Sequence, residues 1–236
     1  MRRRSGSTAP SAWPRADPHS PARVTQRVVY RTRSSLSGLV KIVDSGADRR
    51  LMLDDAVLSI YARDGDWSRA RLEYWGEALD MVRLPPRPSV LFVGLGGGTQ
   101  LHLLLERVAP RHVTAIERDP VIVRVAQRWF GLGDVPGLEF LCADAAVAVA
   151  ALRRARRRFD FIMEDCTYDQ TAERSVPLAV SLAPLVSRRG ALVVNRHRRP
   201  HAGQTAAALT PYFAQVYLRR VRREADNILV CATSRT

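Results

Sequence analysis

Val90-Leu91-Phe92-Val93-Gly94-Leu95-Gly96-Gly97-Gly98-Thr99 is the stretch on which the fold turns. Four apolar residues run into a loop with four glycines, and a helical pattern begins at Thr99. A strand that enters a glycine loop and then a helix opens a βαβ unit, whose helix N-terminus suits a polar or anionic group. The loop is not a Walker loop, because no Gly-Lys-Ser/Thr follows, and Thr99 takes the last glycine position of a G-x-G-x-x-G fingerprint.

Downstream the rhythm is strand, helix, strand, helix. Strands are expected at 113–116, 138–141, 161–163 and 191–194. Asp119-Pro120 opens one helix as N-cap and first residue, and Asp144 caps another that ends in the arginine run 153–158, where the helix dipole favours cations. Residues 215–220 and 227–231 read as two strands of an antiparallel hairpin at the sheet edge. Such alternation implies a mostly parallel sheet with ligands at the carboxyl ends of its strands.

Upstream, short apolar runs alternate with turn residues from Val28 to Tyr61, the pattern of a small antiparallel sheet. A helix over 67–83 follows, with Leu72, Trp75, Leu79 and Val82 on one face, and 84–88 (Leu-Pro-Pro-Arg-Pro) makes a stiff boundary. The division expected is a disordered basic tail over 1–23, an N-terminal β-hairpin domain with its linking helix over 24–86, and an α/β domain over 87–236. Residues 1–35 hold eight arginines against Asp17, half of the net charge of +14. All basic residues but Lys41 are arginine, a skew read as base composition rather than selection for phosphate, and no recognisable RNA-binding module accompanies it, so nucleic acid is set aside as a partner. No run approaches the ~20 apolar residues of a membrane span. Three distant cysteines exclude a disulfide framework and a conventional zinc site, which points to the cytoplasm. His102, His112, His197 and His201 give no metal reading: His197 and His201 lie among arginines, with Pro200 expected to break a helix there.

The chemistry-bearing residues follow strands. Glu117 lies 21 residues after Gly96, where a carboxylate can accept both ribose hydroxyls; the plainer alternative is an ion pair with an arginine. Asp119 is read as a cap, and Asp144 as a cap, an adenine partner, or both. After the fourth strand, Asp165 and Asp169 flank Tyr168 at the mouth of the expected cleft, where a carboxylate can bind a cationic amine and take its proton; the alternative is a polar loop.

On these residues the chain resembles the spermidine synthases within the class I S-adenosylmethionine-dependent methyltransferase fold. The matching motifs are Ser35-Leu36-Ser37-Gly38, Arg50-Leu51-Met52-Leu53-Asp54, the helix with Tyr74 and Glu77, and the glycine loop. They continue through 113–119, Asp144-Ala145 and Phe159-Asp160-Phe161-Ile162-Met163-Glu164-Asp165. The resemblance implies an α/β, Rossmann-like sheet with a terminal antiparallel hairpin, preceded by a small N-terminal β-hairpin domain. It also implies S-adenosylmethionine or its decarboxylated form as co-substrate with no metal, an amine acceptor, and a homodimer. By it, Glu117 holds the ribose, Asp144 and Ala145 face the adenine, and Asp165 is catalytic; the reading of the residues adds Gly94, Gly96, Gly97 and Gly98 on the donor side and Tyr74, Tyr168 and Asp169 on the acceptor side. Three positions depart from the family: Thr99 replaces its loop aspartate, Leu58 a glutamine and Met81 a histidine.

Two transfers are compatible with this frame. Aminopropyl transfer to an amine follows from the overall resemblance, and methyl transfer from Thr99, Leu58 and Met81. A nicotinamide oxidoreductase, an RNA-modifying enzyme and a non-catalytic binding member are the other classes weighed. The imperfect fingerprint, the scattered arginines and the retained Asp165 count against them in turn.

Overall fold

The computed structural model describes residues 26–167, 170–222 and 226–234; the tail expected over 1–23 lies outside them. Four antiparallel strands come first: β1 (Gln26–Ser34), β2 (Gly38–Ser45), β3 (Asp48–Leu53) and β4 (Ala56–Ala62), paired in sequence order. Two short helices, α1 (Ser68–Arg71) and α2 (Tyr74–Asp80), lead to the second sheet.

That sheet takes β5 (Ser89–Val93), α3 (Thr99–Leu105), β6 (His112–Ile116), α4 (Pro120–Trp129), β7 (Leu138–Leu141), α5 (Ala145–Arg154) and β8 (Phe159–Glu164). The chain continues with α6 (Ala172–Leu182), β9 (Val186–Arg196), α7 (Arg199–Leu209), β10 (Gln215–Arg222) and β11 (Asp226–Thr233). The strand order is β10-β11-β9-β8-β5-β6-β7, with β5 to β9 parallel and the β10–β11 hairpin antiparallel at one edge. The chain starts at β5 and winds outward first through β6 and β7, then through β8 and β9 on the other side. The crevice of such a sheet therefore opens at the carboxyl ends of β5 and β8. Every residue of β5 is buried, as helices on both faces require. Asp119 and Asp144 cap α4 and α5 as expected, accepting bonds from the N–H groups of Val121 (2.8 Å) and Ala146 (2.9 Å). Among the described residues no helix is long and apolar enough to cross a membrane.

Two readings are corrected. The single helix over 67–83 is broken at Leu72-Glu73, and Leu72 is more than half exposed instead of buried. Gly76 shows why: a Cβ there would lie 2.1 Å from the Arg71 carbonyl oxygen, so α2 folds back onto the end of α1 where a side chain would forbid it. Pro200 opens a helix rather than breaking one. It occupies the first turn of α7, where no intrahelical partner for its missing N–H is needed.

Candidate functional site

The loop after β5 is tied down from three sides. The Gly94 N–H bonds the Ile116 carbonyl (2.9 Å), the Gly98 N–H bonds the Leu95 carbonyl (3.0 Å), and the Gly97 N–H bonds Ser59 Oγ on β4 (2.7 Å). Gly94 has φ +88°, and a Cβ on it would lie 2.9 Å from the Cys166 Cβ, so glycine lets the ends of β5 and β8 sit side by side. Side chains at Gly97 and Gly98 would run into Phe130 and Leu132, so these two glycines pack onto the protein beneath the loop. Thr99 is buried; its Oγ1 accepts from the Ile60 N–H and donates to the Ile60 carbonyl, both at 2.8 Å.

A cavity of about 320 Å³ opens above the loop, a size within the ~300–1,000 Å³ of small-ligand pockets. Gly94, Leu95, Gly96, Glu117, Asp144, Ala145 and Asp165 line it, together with Leu53, Leu58 and Ser59 of the N-terminal sheet and Gln170 and Arg174 at and before the start of α6. The structure thus brings the strand-end carboxylates of β6, β7 and β8 to one cavity with Gly94 and Gly96, and leaves Gly97 and Gly98 under its floor. Glu117 forms no arginine pair among the described residues. Its oxygens accept from the N–H groups of Asp119 (3.0 Å) and Leu95 (3.4 Å), which orients the carboxylate and leaves acceptor capacity toward the cavity. Asp119 is buried away from the cavity. Burial pushes its carboxyl up, but bonds from Ser34, Ser37 and the N–H groups of Val121 and Ile122 hold it below its ordinary value.

The other end of the cavity is built around Asp165. Its N–H bonds the Val93 carbonyl (2.9 Å), Tyr74 Oη donates to its Oδ2 (2.7 Å), and Asn195 Nδ2 donates to its Oδ1 (2.8 Å). Burial raises its carboxyl to about 6, and the bonds from Tyr74 and Asn195 moderate the rise. Beside it, Glu164 and Arg196 form a fully buried ion pair (2.6 Å). Glu164 Oε1 also accepts from the Cys166 and Thr167 N–H groups and from Thr167 Oγ1 (3.1, 3.0 and 2.8 Å), which fixes the turn after β8. Cys166, 3.5 Å from that carboxylate, has its thiol pushed well up by burial and is no nucleophile. Tyr168 and Asp169 lie outside the described residues.

The three departures have clear places. Thr99 turns away from the cavity, Leu58 lines it, and Met81 is buried with its carbonyl accepting from Tyr217 Oη (2.7 Å). His102 stacks on Trp67 (ring centroids 5.0 Å) and bonds the Phe130 carbonyl, and burial lowers its pKa. No group of three or more His, Cys, Asp or Glu is placed to hold a metal ion among the described residues.

Sequence reasoning missed Asn195, Asn227, the Glu164–Arg196 pair and Ser59. Arg196 opens an arginine-rich run whose next four residues are exposed, yet it is itself fully buried. Scarcity was the available signal for the amides: Asn195 and Asn227 are the only asparagines in the chain.

No family model matches the sequence. Spermidine synthase from Thermotoga maritima superposes with a TM-score of 0.65 at 17% identity, over 89% of this chain and 73% of that one. The chain has the spermidine synthase-like fold of the class I S-adenosylmethionine-dependent transferases. Human methyltransferase-like protein 13, solved with SAH, aligns with a TM-score of 0.54 at 25% identity, over 70% of this chain and 78% of that one. In sequence, the eEF1A lysine and N-terminal methyltransferase of Danio rerio is 30% identical over 169 residues, 66% of this chain and 24% of that protein. A polyamine aminopropyltransferase of Vibrio vulnificus is 24% identical over 150 residues, 61% of this chain and 50% of that protein. The chain spans about a quarter of the first relative's length and half of the second's.

Proposed function

We propose that this chain binds S-adenosylmethionine and transfers its methyl group to a nitrogen nucleophile presented to Asp165. The observation that carries the choice of donor is Thr99. A decarboxylated donor ends in an ammonium group, which the polyamine-forming relatives meet with an acidic loop residue at this position. Here the position is buried and its hydroxyl is fully engaged with Ile60, while the Gln100 side-chain amide bonds the Trp75 carbonyl (3.2 Å). The loop therefore offers a cationic tail no partner. Leu58 on the cavity wall and buried Met81 add none, and the relative matched at 30% identity is named as a methyltransferase.

The cavity's lining suits the donor's nucleoside. Glu117 would take the ribose hydroxyls, Asp144 and Ala145 the adenine, and Gly94 and Gly96 the approach to the sulfur, with Gly97 and Gly98 holding the loop from beneath. Bound there, the donor supplies an electrophilic carbon whose sulfonium leaves as a neutral thioether. The protein contributes position and charge. Tyr74 and Asn195 fix the plane of the Asp165 carboxylate, and its raised pKa of about 6 suits a base that takes a proton from an amine near neutral pH. Tyr168 and Asp169 follow on the same loop and are proposed to meet the acceptor.

Aminopropyl transfer is the second reading. Its support is the Tyr74–Asp165 bond at the acceptor end and the likeness to a spermidine synthase over 89% of the chain, the N-terminal sheet included.

Purified protein incubated with each donor, and with putrescine, spermidine or a lysine peptide, separates the two by mass spectrometry. S-adenosylhomocysteine with a methylated amine, absent in Asp165→Asn, is the expected result. Methylthioadenosine would overturn the methyl reading in favour of the second. Calorimetric binding of either donor without any product would make the chain a binding protein.

A further inference from the structure

Both asparagines of the chain are buried, 32 residues apart in sequence and hydrogen-bonded to each other beside Asp165. Asn195 Nδ2 donates to Asp165 Oδ1 (2.8 Å) and to Asn227 Oδ1 (3.0 Å). That leaves two buried atoms with no partner among the described residues, Asn195 Oδ1 and Asn227 Nδ2. Leaving a buried amide atom unpaired is costly, so two in one contact need an explanation.

The two unpaired atoms are complementary. If both amides turn over, Asn227 Nδ2 donates to Asn195 Oδ1, and Asn195 Oδ1 also faces Asp165 Oδ1, where it can accept a proton carried by that oxygen. Neither amide can turn alone: turning only Asn195 would set its Oδ1 against Asn227 Oδ1, acceptor against acceptor, and turning only Asn227 would set its Nδ2 against Asn195 Nδ2, donor against donor. The count is the same in both arrangements: two hydrogen bonds and two unpaired atoms. The arrangement seen fits an ionised Asp165, and its reverse fits a protonated one.

We propose that Asn195 and Asn227 are positioning residues that turn over together when Asp165 gains or loses a proton, so that the carboxyl keeps its partner in either state. The proton comes to rest on Asp165 Oδ1, while Tyr74 Oη continues to donate to Oδ2; beyond the exchange of the amide hydrogen bonds, no other bond is made or broken. This inference deepens the base role given to Asp165 and rests on it only for its use in catalysis.

The other ionisable groups around the pair do not supply the signal. Glu164 and Arg196 offset each other as a buried ion pair, and burial keeps the Cys166 thiol neutral. Tyr74 on α2 meets the carboxyl only through the bond its hydroxyl donates to Oδ2. At the start of β11, Asp226 is held low by Arg220. Among the described residues, His197, exposed two residues beyond Asn195, is the group that needs a control.

With only two asparagines, selective ¹⁵N labelling of asparagine gives two side-chain amide signals in the full-length protein. On acidification from pH 8 to 5, the Asn227 protons gain a hydrogen bond and move downfield, the Asn195 protons lose theirs and move upfield, and both share one midpoint near 6. Both changes persist in His197→Gln and vanish in Asp165→Leu. Movement of Asn195 alone, movement of both in one direction, silence over the whole range, or dependence on His197 each overturns the proposal. None of these readouts involves turnover, so they stand whether the transferred group is methyl, aminopropyl or none.

Discussion

Asp165→Asn is expected to stabilise the protein, and to do so more as the pH rises. The folded carboxyl titrates at about 6 against 3.8 for the free side chain, because burial opposes its charge. An acid raised in this way contributes most at low pH, below the unfolded value, and its contribution is lost as pH climbs through the folded one. Wild type therefore carries a penalty of about 1 kcal/mol at pH 4.5 that grows to about 3 kcal/mol at pH 8. Asparagine is neutral throughout, still accepts from Tyr74, and removes that penalty. At roughly 2–4 °C per kcal/mol for a chain of this size, the variant should unfold about 6–12 °C higher at pH 8, with the gap shrinking to a few degrees at pH 4.5. Thermal and urea unfolding of both proteins across this range measure it. A difference that does not change with pH would refute the assignment of the titration to Asp165. A variant less stable than wild type at pH 8 would show that burial does not burden the carboxylate at all.

Three further outcomes follow from the same geometry. Arg196→Met strands the Glu164 carboxylate without its partner and should cost about 3–5 kcal/mol in urea unfolding, most of it recovered in Glu164→Gln/Arg196→Met. Thr99→Asp, the substitution that restores the family's loop residue, should not create affinity for the decarboxylated donor in calorimetry, because the side chain faces Ile60 rather than the cavity; the variant should unfold at lower urea than wild type. Glu117→Gln should weaken nucleoside binding about 10- to 100-fold through loss of charge-assisted bonds worth about 1.5–3 kcal/mol, with the unfolding midpoint nearly unchanged; equal affinity would take the ribose role from Glu117.

Period and punctuation carried most of the fold. The apolar run 90–93, the two Asp caps and the terminal alternation each reported a local preference that the packed structure agrees with. Leu72 and Pro200 failed for the opposite reason. A helical stripe gives no warning that Gly76 lets the chain double back at Arg71, and a proline reads as a breaker or an opener only once the helix start is known. The candidate site divides along the same line. Glu117, Asp144 and Asp165 were legible because strand ends place them, whereas Asn195, Asn227 and Arg196 act across β8, β9 and β11, and no spacing along one strand encodes that adjacency. Thr99 was recognised as a departure, but its turn toward Ile60 depends on β4, 39 residues away.

The stitching of the glycine loop bears on which small molecules compete for the cavity. The N–H groups of Gly94, Gly97 and Gly98 are taken by Ile116, Ser59 and Leu95. A diphosphate recognised at such a loop needs N–H groups left open to it. The most abundant nucleotides in a cell are phosphorylated, and here they would bring charge to a floor with three of its donors already committed, beside the carboxylates of Glu117, Asp144 and Asp165. If the cavity takes a nucleoside as proposed, it filters on charge as much as on shape, favouring an adenosine that carries no phosphate over the crowd of triphosphates and dinucleotides that share its base.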